Sequence, residues 1–130
     1  MSSTNPVVHF EMPYEDGKRV AEFYSKAFNW KMVQAGEEMG NYVTAETTES
    51  SGFNRSITPG AINGGFFPKK EGWPAQSPSV VISVDDIEEA MKKITEAGGE
   101  VLDKPMEIPG VGKYVSFNDT EGNRASLLEV

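Results

Sequence analysis

The chain has no cysteine, which excludes disulfides, thiolate metal sites and cysteine nucleophiles together. Histidine occurs once, at His9. Cations are scarce as well: 12 Lys and Arg stand against 20 Asp and Glu, for a formal net charge of −8. The phosphate contribution to nucleic-acid binding needs a basic surface, and so does attraction to an anionic membrane, so neither is an expected partner. No apolar run approaches the roughly 20 residues of a membrane-spanning helix. The opening Met-Ser-Ser-Thr-Asn carries no hydrophobic signal region, and a cytoplasmic location is expected. There is no Gly-x-x-x-x-Gly-Lys phosphate loop, and Gly110-Val111-Gly112 is too short to act as one. Ser79, Ser83, Ser116 and Ser126 have no histidine–carboxylate relay of the hydrolase type visible in the sequence.

What is present is ordinary in bulk and patterned in detail. A chain of 130 residues with 38% hydrophobic and 25% charged residues suits one domain with a real core. Residues 79–98 pass from a β-branched run through Asp85-Asp86 into apolar positions Ile87, Ala90, Met91, Ile94 and Ala97. That is the stripe of a helix lying on a sheet. Asp86 is a natural N-cap with Glu89 three residues on, as in a capping box, and Gly98-Gly99 is a left-handed stop. Subtracting 70 from each number lands on a second copy, with Asp16 as the cap and Val20, Phe23, Tyr24 and Ala27 as the stripe. There Asn29 takes the place of the terminal glycine.

Each half reads as a strand, a helix and three further strands. The first strand, Val7 to Met12 and ended by Pro13, turns Val8, Phe10 and Met12 to the helix and His9 and Glu11 together to the other face. Strands follow at 30–34 and 42–45, a polar loop at 47–59, and then a Gly64-Gly65-containing strand at 61–67. In the second half, strands at 100–103, 114–117 and 124–130 surround a turn-rich stretch at 105–112. The fold class is α+β: two pseudo-symmetric βαβββ modules forming curved mixed sheets around a cavity, helices outside. Module one covers about 6–67, a linker 68–78 and module two 79–130.

His9 is either a hydrogen-bonded residue of the cavity wall or a general base, with Glu11 placed to pair with an imidazolium. Gly64-Gly65 marks a bend or a close approach to backbone amides. Tyr42, Phe66, Phe67 and Trp73 either line a pocket for a planar ligand or serve as core and dimer contacts. Phe28 and Trp30 are expected in the core.

The doubled unit, the opening Val-Val-His-Phe-Glu and the helix Phe-Tyr-Ser-Lys-Ala-Phe-Asn-Trp resemble the vicinal oxygen chelate superfamily. So do Gly-Gly-Phe-Phe, Val-Asp-Asp-Ile and the terminal Asp-Thr-Glu-Gly-Asn-Arg-Ala-Ser-Leu. This superfamily includes glyoxalase I, bleomycin- and fosfomycin-resistance proteins and extradiol dioxygenases. The resemblance implies four metal-ligand slots, one in the first and one in the last strand of each half, filled by His or Gln and by Glu. His9 matches the first. The others fall on Ser79, on Ser126, and on Asn63 or Gly65 depending on register. Divalent ions need several imidazole or carboxylate ligands, so the chain resembles the metal-less branch, and no cofactor is expected.

The expected function is binding of a small organic molecule, with His9 and Glu11 as the chemical pair and Tyr42, Asn63, Gly65, Phe67, Ser79 and Ser126 as contacts. The alternatives are a metal-dependent lyase or dioxygenase holding a divalent ion through His9, and a module kept for dimerisation alone. The resemblance also implies a homodimer.

Overall fold

Asp16 and Asp86 are both extended, and each accepts a backbone N–H three residues on: Asp16 from Arg19 at 3.0 Å, Asp86 from Glu89 at 3.1 Å. They cap α1 (Gly17–Phe28) and α2 (Ile87–Glu96). Asn29 ends α1 with φ 62°, the left-handed geometry that Asn tolerates. The expected capping box forms only by its Asp86 half. Glu129 supplies the other anchor: its Oε1 accepts the Ile87 N–H at 2.8 Å, meeting the positive end of the helix. Replacing Glu129 by Gln should therefore cost about 1 kcal/mol. The check is urea denaturation, where Asp86→Asn serves as a comparison for the other cap.

The computed structural model describes residues 4–51, 55–56, 58–73 and 76–130. Residues 1–3 and parts of the 47–59 loop and of the 68–78 linker lie outside them. Contacts divide the chain into His9–Pro78 and a second unit of Ser79–Val130 with the residues up to Val8. In the first, β1 (Val7–Tyr14) runs parallel to β6 (Asn63–Pro68). β3 (Val43–Glu46) pairs antiparallel with both β6 and β2 (Lys31–Gln34). In the second, β7 (Ser79–Ser83) runs parallel to β11 (Arg124–Glu129). β10 (Gly112–Asn118) pairs antiparallel with both β11 and β8 (Glu100–Val101). The same connectivity thus occurs in each unit, first strand beside last, and the fold is α+β. No helix among the described residues is long and apolar enough to cross a membrane.

In the first unit Val20, Ala21 and Tyr24 of α1 pack with Phe10, Met12, Tyr14, Trp30 and Met32 around buried Val43, Ala45 and Phe66. In the second, Ala90, Met91 and Ile94 of α2 pack with Ile82, Val101 and Phe117 around Val84, Ile87, Val115 and Leu127. The helical stripe of α1 is corrected by one residue: Ala21 lies inward, while Phe23 and Phe28 are 56% and 59% exposed. Phe28 sits at the rim, its ring 5.9 Å from that of Tyr24. The stripes also end a turn early, since Ala27 and Ala97 are exposed.

Most strand ends shift from expectation by one or two residues, and three differences go further. β1 continues through Pro13 to Tyr14. Tyr14 offers its carbonyl to Lys69 N–H at 2.9 Å; alternate residues of a strand face opposite edges, so the missing Pro13 N–H breaks no bond to β6. The 47–59 loop contains a short antiparallel pair, β4 (Ser50–Ser51) with β5 (Arg55–Ser56). The 105–112 connection contributes β9 (Met106–Ile108), paired with β10.

Candidate functional site

In the His9–Pro78 unit, strand alternation commits Phe10, Met12, Val43, Ala45 and Phe66 to the helix side. The other sheet face is left to His9, Glu11, Tyr42, Asn63, Gly65 and Phe67. The register sets His9 opposite Asn63 and Glu11 opposite Gly65. The two glycines each seat a ring. A Cβ on Gly64 would run into the Phe10 ring on the core side, and one on Gly65 into the Tyr42 ring on the other side. Gly65 is therefore the floor under Tyr42.

That placement brings the Tyr42 hydroxyl within 3.1 Å of His9 Nε2 and 3.0 Å of Glu11 Oε2. The phenol has one hydrogen and gives it to the Glu11 carboxylate. The bond to His9 must then be donated by the imidazole, which fixes the Nε2–H tautomer and leaves Nδ1 as the acceptor nitrogen. Among the described residues Nδ1 meets no hydrogen-bond partner. Burial pushes the imidazole down from 6.5 to about 4, because the charged form loses its hydration. Glu11 is 6% exposed. Concave surface elsewhere in this unit, along α1 between Arg19, Glu22, Phe23, Lys26 and Ala27, is lined by none of these groups.

The depressed value sets a pH dependence. Between pH 4 and 6.5 the unfolded chain binds a proton at His9 that the folded chain refuses. The resulting stability is therefore full above 6.5 and is lost as pH falls toward 4, at most about 3 kcal/mol. Denaturation midpoints for wild type and His9→Gln should converge as pH drops through this window. Equal slopes for the two proteins would contradict the assignment.

Asn63 is fully buried. Its Oδ1 accepts the N–H groups of Thr47 at 2.7 Å and Thr48 at 3.0 Å, which orients the amide and leaves Nδ2 with no partner. Phe67 is partly buried, two places beyond Gly65 on the same face.

Ser79 and Ser126 belong to the other unit. Ser126 is fully buried on β11, its Oγ 2.7 Å from the Tyr114 hydroxyl and 3.1 Å from Ser116 Oγ; Ser116 also accepts Arg124 Nη2 at 2.9 Å. Tyr114, Ser116 and Arg124 were not anticipated as neighbours of Ser126. Alternation along 114–116 and 124–126 was the available signal. Ser79 Oγ is buried without a partner. Glu129, three places beyond Ser126, faces the helix as alternation requires.

The ligand positions that the resemblance implies can now be weighed for a divalent ion. His9 and Glu11 are engaged with Tyr42, Asn63 Oδ1 is filled by two amides, Gly65 has no side chain, and Ser79 and Ser126 offer neutral hydroxyls. That donor set does not fit the need for several imidazole or carboxylate ligands. Among the described residues no group of three or more His, Asp or Glu side chains is placed to hold a metal ion.

The family model of the Glyoxalase/Bleomycin resistance protein/Dioxygenase superfamily matches residues 7–127. The chain belongs to this superfamily. A glyoxylase-like domain-containing protein of Didymella fabae is 31% identical over 90% of this chain and 88% of its own length. An anthracycline biosynthesis protein, DnrV of Streptomyces peucetius, is 26% identical over 87% of this chain, which spans 42% of that protein. Among solved structures, a single-site variant of Streptomyces coelicolor methylmalonyl-CoA epimerase, in complex with 2-nitronate-propionyl-CoA, superposes with a TM-score of 0.69. The match covers 98% of this chain and 95% of that one, at 17% identity, and this likeness speaks to the fold.

Proposed function

We propose that this superfamily member binds a small organic molecule without a metal, on the sheet face that carries His9, Tyr42 and Glu11. The observation behind this reading is the His9–Tyr42–Glu11 chain itself. It holds the one imidazole in a single tautomer and engages the carboxylate nearest to it. A hydrogen-bond acceptor remains at Nδ1, on the sheet face that also carries Tyr42 and, further along β6, Phe67. An apolar surface with a few oriented polar groups is what small-molecule sites are made of.

Two measurements test the reading. Protein purified without chelator should contain no stoichiometric zinc, nickel or iron; one ion per chain, lost in His9→Ala, would establish the metal-dependent alternative. A thermal-shift screen of small aromatic and carbonyl compounds should yield ligands that stabilise wild type, by about 2.7 kcal/mol at a hundredfold excess over Kd. The same compounds should have far less effect on His9→Ala. A module kept for dimerisation alone would give no hits.

A further inference from the structure

Resting on that reading, we infer that His9, Tyr42 and Glu11 form a proton relay that takes the hydrogen of a weakly acidic hydroxyl, a phenol or an enol, from the bound molecule. The geometry carries this in two parts. Tyr42 donates to Glu11 Oε2 and accepts from His9 Nε2, so the two bonds run in one direction, from ring to carboxylate. Nδ1, at the open end, is an acceptor with no partner among the described residues. A neutral ring nitrogen holds an O–H in the ground state, which a carbon-bound hydrogen would not match.

The second part is Asn63, opposite His9 in register. Its side chain is fully buried, and its Nδ2 has hydrogens to give and no acceptor. Buried unsatisfied donors are costly and uncommon. An oxygen that loses its hydrogen to Nδ1 would become the acceptor that Nδ2 lacks once the ligand opens a path to it.

The step balances. The ligand O–H bond breaks and an N–H bond forms at Nδ1. The Nε2 hydrogen passes to Tyr42 Oη as the phenolic hydrogen passes to Glu11 Oε2. The ring is neutral again in its other tautomer, Glu11 is a neutral acid, and the negative charge has moved from Glu11 to the ligand oxygen. No metal, oxidant or second substrate is required.

Because His9 is the only histidine, chemistry on the whole folded protein reads this one ring. Diethyl pyrocarbonate acylates the unprotonated imidazole nitrogen, without any ligand being known. Peptide mapping and NMR of the adduct should find at least about tenfold more acylation at Nδ1 than at Nε2. In Tyr42→Phe that preference should collapse toward unity. Acylation at Nε2 in wild type, or a preference unchanged in Tyr42→Phe, would overturn the relay in the free protein and leave the binding reading untouched.

The transfer itself is visible with 4-nitrophenol, whose anion is coloured. At a pH well below the ionisation of the free phenol, wild type should generate the phenolate absorbance, and Tyr42→Phe and Glu11→Gln should each lose most of it. Circular dichroism confirms that the variants are folded. No phenolate with wild type, or equal phenolate with all three proteins, would overturn the proposal.

Discussion

Gly65→Ala should destabilise the protein by about 1–3 kcal/mol and detach Tyr42 from His9 in the molecules that still fold. The added methyl would occupy the space of the Tyr42 ring, whose carbons and hydroxyl are its nearest neighbours. Glycine is favoured elsewhere for backbone freedom, but Gly65 has no left-handed φ; its requirement is purely one of volume. The strand cannot retreat, because Gly65 is paired to Glu11 on one side and Thr44 on the other. The ring must therefore move, taking its hydroxyl out of reach of both His9 and Glu11. Binding of any compound found for wild type should fall with it. Combining Gly65→Ala with Tyr42→Leu, which removes much of the obstructing ring, should recover stability and not binding. Chemical denaturation and ligand titration on the same samples separate the two effects.

Phe66→Ala should cost more, about 3–5 kcal/mol. Phe66 is 1% exposed, with its ring 5.1 Å from that of Tyr24 and 6.4 Å from that of Phe10. It is the largest fully buried side chain among the described residues, and it packs against Tyr24, which stacks on Trp30 at 4.7 Å. Its side chain lies on the helix side of β6, opposite Gly65. The protein that remains folded should therefore keep the His9 tautomer. Together these two substitutions at neighbouring residues divide the strand's two faces into stability and chemistry.

Most of the architecture was legible in the sequence because it rests on local physics. The caps at Asp16 and Asp86, the left-handed Asn29 and the alternation that separates His9 and Glu11 from Phe10 and Met12 all follow from a few adjacent residues. The phase of α1 was less secure: an apolar residue at 21 and another at 23 satisfy a helical stripe almost equally, and only the packing of Tyr24 under Phe66 decides for Ala21. Phe28 and Phe23 show the converse, large apolar residues that pack on one another and on Tyr24 yet stay exposed.

The site was half legible. His9 and Glu11 are two residues apart on one strand, so their shared face could be read directly. Tyr42, just ahead of β3, reaches them across β6, over a glycine whose purpose depends on register between strands distant in the chain. That His9 and Glu11 share a sheet face can be read from the sequence, but the hydroxyl that joins them cannot be placed. The hydrogen bonds that occupy Asn63 come from Thr47 and Thr48, in a segment whose polar composition gave no hint of a fixed backbone.

Everything proposed for this site depends on the state of one imidazole. A ¹⁵N spectrum of protein labelled at histidine, taken at about pH 6 and repeated with an equivalent of zinc, reports both ring nitrogens separately. The predicted result is a neutral ring with its hydrogen on Nε2, unmoved by the metal. A doubly protonated ring, a hydrogen on Nδ1, or a nitrogen shifted by bound zinc would contradict it.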